Sequence, residues 1–107
     1  MNKYIKDAKE LIAKGDYVQA SEKLWGASAE MVKVVAAKRG IKLKTHRDIW
    51  DFVTKLHTES KDPELSKLFL QANYLHQNFY ENILPAEAVL AGAEAVEQFI
   101  AKLEKLI

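Results

Sequence analysis

The stretch that decides the fold is Gly15-Asp16-Tyr17-Val18-Gln19-Ala20-Ser21-Glu22-Lys23-Leu24-Trp25-Gly26-Ala27, which runs on without a break to Val34-Val35-Ala36-Ala37-Lys38-Arg39-Gly40. Glycine at either end supplies a left-handed stop. Asp16 with Gln19 three residues on has the acid/amide form of a capping box, so a helix starts there. At its far end Ile41 is placed to cover the last turn in a Schellman-like close. Val18, Ala20, Leu24, Trp25, Ala27, Met31, Val32, Val34 and Val35 occupy more than one side of this helix. A helix apolar on two sides is central in a bundle or covered by a partner subunit.

The flanking sequence repeats this punctuation. Upstream, Tyr4, Ile5, Ala8, Leu11 and Ile12 share one face of a helix from about Asn2 to Lys14. Downstream, Thr45 and Asp48 cap a third helix that runs to about Ser60, with Ile49, Phe52, Val53 and Leu56 inward and Trp50 at the margin. Asp62-Pro63-Glu64 starts a fourth helix carrying Leu65, Leu68, Phe69, Ala72, Leu75, Phe79 and Ile83. Pro85 opens a fifth, with Val89, Ala93, Val96, Ile100, Leu103 and Ile107 at seam-like spacing. Nothing shows a sustained period of two. Short connections predict that successive helices are antiparallel neighbours. The expected fold is all-α: an up-and-down antiparallel four-helix bundle with an additional short N-terminal helix, in one domain spanning residues 1–107.

Composition narrows function mainly by exclusion. The 107 residues are 49% hydrophobic and 29% charged with a formal charge of +1, a globular balance with no global charge to dictate a partner. The absence of cysteine removes disulfides, thiolate metal sites and cysteine nucleophiles. No apolar run approaches the roughly 20 residues of a membrane span, and the N-terminus lacks signal-peptide character. The expectation is a soluble, cytoplasmic protein. His46, His57 and His76 are eleven and nineteen residues apart, so no two pair on a helix face as H-x-x-x-H would, and no HExxH, G-x-S-x-G or phosphate-cradling glycine loop occurs. No catalytic residue, metal or cofactor follows from motifs.

Two concentrations of residues stand out as candidate sites. Lys38, Arg39, Lys42, Lys44 and Arg47 place five fixed cations, with His46, in a ten-residue stretch without an acid. Clustered cations on a loop favour phosphate through counterion release, although Lys38 and Arg39 also suit a helix C-terminus. On the fourth helix Asn73, His76, Gln77 and Tyr80 form one polar stripe, with Asn78 among them in sequence. Amides are mediocre helix formers, so the stripe serves either a hydrogen-bonded helix boundary or a site.

Lys14-Gly15-Asp16-Tyr17, Ala20 to Ala27, the basic turn Lys38–Arg47, and Leu75-His76-Gln77-Asn78-Phe79-Tyr80-Glu81-Asn82 together resemble the archaeal PaREP family, which is similar to the HEPN superfamily of helical bundles. The resemblance covers nearly the whole chain and implies a four-helix bundle, usually a homodimer. HEPN ribonucleases carry an R-x4-6-H motif, often extended to H-x-Y. Alignment with it puts Asn73 at the Arg position, Asn78 at the His position and Tyr80 at the Tyr position. Asparagine supplies neither a proton-exchanging base nor a cation, so the expected function is a non-catalytic binding or regulatory module for nucleic acid, a nucleotide or a protein partner. HEPN-like proteins commonly pair with small nucleotidyltransferases, which implies a partner of that type. The enzymatic alternative is a metal-independent, toxin-like endoribonuclease built on His76, or on Arg39 and His46, which fit R-x6-H on the turn after the second helix. A homodimer is expected through the second or fourth helix, because Trp25 and Val32 fall outside the Leu24/Met31/Val35 stripe. The opposing expectation is that helix one covers them.

Overall fold

The computed structural model describes residues 3–107 and is all-helical over them, with no strand. Its five helices are α1 (Lys3–Ala13), α2 (Tyr17–Lys38), α3 (His46–Ser60), α4 (Leu65–Glu81) and α5 (Ala86–Glu104). Asn2, where the first helix is expected to begin, lies outside the described residues.

The predicted stops and caps account for most boundaries. Gly15 and Gly40 adopt φ of +80° and +72°, conformations that suit a residue without Cβ. At Gly40 the Schellman pair is complete: Ile41 N–H donates to Ala36 C=O at 2.9 Å, and Gly40 N–H to Ala37 C=O at 3.0 Å. Asp16 accepts from Gln19 N–H at 3.1 Å. At α3 the capping box closes both ways, Thr45 Oγ1 accepting from Asp48 N–H and Asp48 Oδ2 from Thr45 N–H. One start differs. The Asp62-Pro63-Glu64 stretch forms a turn, with Glu64 N–H donating to Asp62 Oδ1 at 3.0 Å, and α4 begins only at Leu65. The other Asp62 oxygen takes Lys102 Nζ at 2.7 Å, which ties this turn to the end of α5.

α2 is the centre. It packs against α1, α4 and α5, while α3 lies chiefly on α4. Phe69, Phe99, Leu24, Leu75, Val32 and Val35 are among the fully or almost fully buried side chains around it. Trp25 and Val32 are 9% and 0% exposed. The two-sided apolar character of α2 is therefore satisfied inside the monomer, and the reason for placing a dimer contact on this helix falls away. Gly26 lets α1 approach: a Cβ there would lie 2.9 Å from the Tyr4 ring.

One connection departs from up-and-down alternation. α1 and α2 run antiparallel, Asp7 lying near Lys23 and Tyr4 near Gly26. α3 and α4 do so too, with His46 against Asn73 and His57 against Ser66, and so do α4 and α5, with Leu75 against Gly92 and Asp62 against Lys102. α2 and α3 run in the same direction. His46, at the start of α3, stacks on Trp25 in mid-α2, while Glu59, near the end of α3, bonds Arg39 at the end of α2. A short loop cannot make that connection, but an extended one can. Residues 41–44 carry no regular secondary structure, and Ile41 and Leu43 turn inward while Lys42 and Lys44 turn to solvent. This strap returns along α3 before α3 begins. Its two-residue alternation is too brief to register as strand patterning.

Candidate functional site

The return of the strap places His46 beside α2 and α4, and the site is built on that junction. Trp25 and Glu22 come from α2, Asn73, His76 and Tyr80 from α4, and His46 is the first residue of α3. Spacings of three on α2 and of three and four on α4 put each set on one helix face. The His46 and His76 rings each stack on the Trp25 indole at 4.9 Å between centroids, and lie 5.7 Å from each other. Rings on opposite faces of the indole would be nearly twice as far apart as either is from it. The two imidazoles therefore sit side by side on one face. The Tyr80 ring meets His76 edge-on at 5.3 Å and is 72% exposed.

Hydrogen bonding orients both imidazoles. His76 Nδ1 lies 2.8 Å from Glu22 Oε1. An ionised carboxylate only accepts, so Nδ1 carries the proton and donates, leaving Nε2 as the basic nitrogen of the neutral ring. Asn73 Nδ2 donates to Phe69 C=O at 2.8 Å, which turns Asn73 Oδ1 towards His46. His46 Nε2, 2.8 Å from that oxygen, is accordingly a donor, and its Nδ1 is left over. The result is a pair of differently oriented imidazoles, one backed by a carboxylate and one by an amide. Glu22 and Trp25 also line an open cleft of about 450 Å³ shared with Tyr4, Lys23 and Phe79.

The basic run is dispersed and partly answered by acids that are distant or local in sequence. Arg39 pairs with Glu59 at 2.7 Å, which holds the Glu59 carboxyl below its usual range, and Arg47 pairs with Asp51 at 2.9 Å. Lys44 N–H and Thr45 N–H both donate to Asp48, lowering its pKa. Lys38, Lys42 and Lys44 are exposed, and no ion pair within the described residues engages them. Lys44 and Arg47 thus lie within two residues of His46 in the chain, whereas Lys38 and Arg39 sit at the other end of the strap.

Asn78 is drawn out of the candidate surface. It is 0% exposed, donates to Ser21 Oγ at 2.9 Å, and accepts from Ile83 N–H and Leu84 N–H, each at 2.8 Å. Its side chain is spent on tying the α4–α5 turn to α2. His57 is equally structural, its Nδ1 accepting from Ser66 N–H at 3.4 Å. Sequence reasoning missed Glu22 and the part Trp25 plays here. Their three-residue spacing on α2 is visible, but only the fold brings His76 to them across 54 positions. Among the described residues, no group of three or more His, Asp or Glu could hold a metal, and no helix is long and apolar enough to cross a membrane.

With the geometry in place, comparison with known proteins adds a family. The archaeal PaREP1/PaREP8 family matches residues 1–100. The chain belongs to that family. A similar solved structure is the crystal structure of a protein from Sulfolobus solfataricus, with 25% sequence identity and a TM-score of 0.85 over 96% of this chain and 92% of that one. No curated protein matches. For this PaREP1/PaREP8 chain the fold is therefore shared with an archaeal relative, and the site has to be read from its own residues.

Proposed function

We propose that the protein is a binding module for phosphate-bearing ligands, with single-stranded RNA the ligand its site suits best. The observation that carries this reading is the double membership of His46, which belongs both to the basic run Lys38–Arg47 and to the imidazole pair on Trp25. Lys42, Lys44 and Arg47 offer charge to the phosphates, and the exposed Tyr80 ring offers a stacking surface for a base. The HEPN resemblance points the same way by analogy alone. Anisotropy of a labelled RNA oligonucleotide, followed over a salt series, tests the proposal. Binding should weaken steeply with salt, and Lys42→Ala/Lys44→Ala/Arg47→Ala should both weaken it and flatten the slope. No binding by the wild-type protein would overturn the RNA reading and favour a protein partner, of which a nucleotidyltransferase is one candidate.

A second reading is favoured by the 5.7 Å separation of the two imidazoles and by the His76–Glu22 bond. Two differently oriented histidines are a general base and a general acid for metal-independent RNA cleavage. His76 Nε2 would take the ribose 2′-OH proton, the 2′-oxygen would attack phosphorus, and the 5′-oxygen would leave with a proton from protonated His46. The products are a 2′,3′-cyclic phosphate and a free 5′-hydroxyl. Cleavage that survives chelator and is lost in both His46→Ala and His76→Ala would support this enzyme. RNA bound but left intact would place the protein in the non-catalytic class.

A further inference from the structure

We infer that the cleft which Glu22 shares with the imidazole pair is a nucleobase pocket selective for guanine. The inference rests on the RNA reading above for the strand that carries the base, and on the cleft itself for the choice of base. The cleft holds about 450 Å³, inside the range of about 300–1,000 Å³ usual for small-ligand sites. Along α2 its lining runs from Gln19 to Lys33, with Gly26 and Ala29 as the small residues at its centre. Tyr4 borders it from α1 and Phe79 from α4.

The charged residues of the cleft cancel in pairs, Glu22 and Glu30 against Lys23 and Lys33. A phosphate gains little there by counterion release and stays with Lys42, Lys44 and Arg47. What suits the cleft is a flat, uncharged group with apolar faces and a polar edge. A nucleobase is such a group, and Tyr4 and Phe79 offer it aromatic surface. The cleft also lies where a bound strand would deliver a base. Glu22 bonds His76 at 2.8 Å, Trp25 carries both imidazoles, and both residues line the cleft.

The choice of base follows from which polar groups are already engaged. Glu22 is held by His76, and Lys23 by Asp7 at 3.8 Å and by the Tyr4 ring at 5.7 Å. Glu30 and Lys33 are exposed and lie three residues apart on one helix face. No ion pair among the described residues engages either of them. They set an acceptor-only carboxylate beside a donor-only ammonium. The Watson–Crick edge of guanine presents two adjacent donors, N1–H and N2–H, followed by the acceptor O6. The two donors match the two oxygens of Glu30, and O6 matches Lys33 Nζ. Adenine and cytosine place a ring-nitrogen acceptor next to the amino group, where it would face the second carboxylate oxygen. Uracil offers a single donor. A bidentate match of this kind is what discriminates between bases.

Anisotropy with labelled uracil-rich strands that differ at one central position, holding guanine, hypoxanthine, adenine or uracil, tests the inference. The guanine strand should bind about tenfold tighter than the other three, hypoxanthine included, because that base lacks only the N2 amino group. Glu30→Gln should erase the preference without weakening the other strands, since it removes no cation. Equal binding of all four strands by the wild type would overturn the pocket and leave the RNA reading standing. A guanine preference that survives Glu30→Gln would overturn the pocket too. If no strand binds, the RNA reading falls instead, and free guanosine titrated into isotope-labelled protein decides the pocket. Movement of the Gly26 and Glu30 amide signals with guanosine but not with adenosine would support it, and no movement would overturn it.

Discussion

The Arg39 guanidinium donates to the Glu59 carboxylate across 2.7 Å, joining the last turn of α2 to the last turn of α3. With His46 stacked on Trp25 at the other end, this bond makes α3 run in the same direction as α2. An antiparallel α3 would instead bring the start of α3 to Arg39. The chain has no native cysteine, so a single spin label can be placed at Arg39→Cys without competing thiols. Amide signals of residues 55–60 should broaden strongly while those of 46–49 are spared. The reverse pattern would refute the direction of α3.

Asn78, itself fully buried, holds the α4–α5 turn through two hydrogen bonds and ties it to α2 through a third. Asn78→Ala leaves the Ser21 hydroxyl and two backbone N–H groups without that partner. The expected loss is about 2–4 kcal/mol, read as a fall in Tm of roughly 4–8 °C per kcal/mol for a chain of this size. A change within error would mean that the turn stands without it.

Ser28 should respond in the opposite sense. Its hydroxyl is fully buried, and among the described residues it has no hydrogen-bond partner. Ser28→Ala removes the desolvation cost of an unmatched hydroxyl and adds helix propensity, so stability should rise by about 1 kcal/mol. Thermal unfolding measures this directly, and a lower Tm would contradict the assignment of Ser28 as unpartnered.

Two helix glycines should part company when changed to alanine. At Gly92 the new Cβ meets Leu75, which is 1% exposed and cannot yield without disturbing the core. A loss of about 1–3 kcal/mol is expected. At Gly26 the new Cβ meets the half-buried Tyr4 ring on the first turn of α1, which can swing outward. There the gain in helix propensity, about 1 kcal/mol, offsets much of the clash. Chemical denaturation of both variants should rank Gly92→Ala well below Gly26→Ala.

The Asp62–Lys102 pair predicts how stability varies with pH. Lys102, with a backbone N–H of Glu64, holds the Asp62 carboxyl below its ordinary value, while Asp62 raises the Lys102 ammonium above its own. The carboxyl's contribution is present above its unfolded pKa of about 3.9 and is lost as pH falls through the lowered folded value. The ammonium's contribution is present below its unfolded pKa of about 10.4 and is lost as pH rises through the raised folded value. The stability difference between wild type and Asp62→Asn should thus be flat from about pH 5 to 9 and shrink towards either extreme. A difference that grew as pH fell through 4 would refute the pair as its source.

Local signals in the sequence carried most of the fold. Gly15, Gly40, the Thr45/Asp48 box and Pro85 mark boundaries through bonds made within a few residues, so they can be read from one stretch of chain. The direction of α3 could not be read this way, because it rests on Arg39–Glu59 and Trp25–His46, contacts 20 and 21 positions apart. The candidate site was half legible for the same reason. His46, Asn73, His76 and Tyr80 stood out as polar residues at costly positions. Glu22 looked like any helix-surface acid, and Trp25 like any apolar residue. Asn78 was legible as unusual but not as structural, since its partners Ser21, Ile83 and Leu84 lie on other elements or on the turn.

The strap between α2 and α3 acts as a ruler for the site. The extended part starts at Ile41, whose N–H bonds Ala36 C=O, and from the level of Ala36 back to that of Trp25 is eleven helical residues, a rise of about 16–17 Å. The five steps from Ile41 to His46, fully extended, span about 17–18 Å. The segment is close to its maximum reach, so its length sets how far down α2 the second imidazole lands. An added residue can bulge into solvent beside Lys42, but removing one withdraws about 3.3 Å of chain and pulls His46 away from His76 before any residue of the site itself has changed.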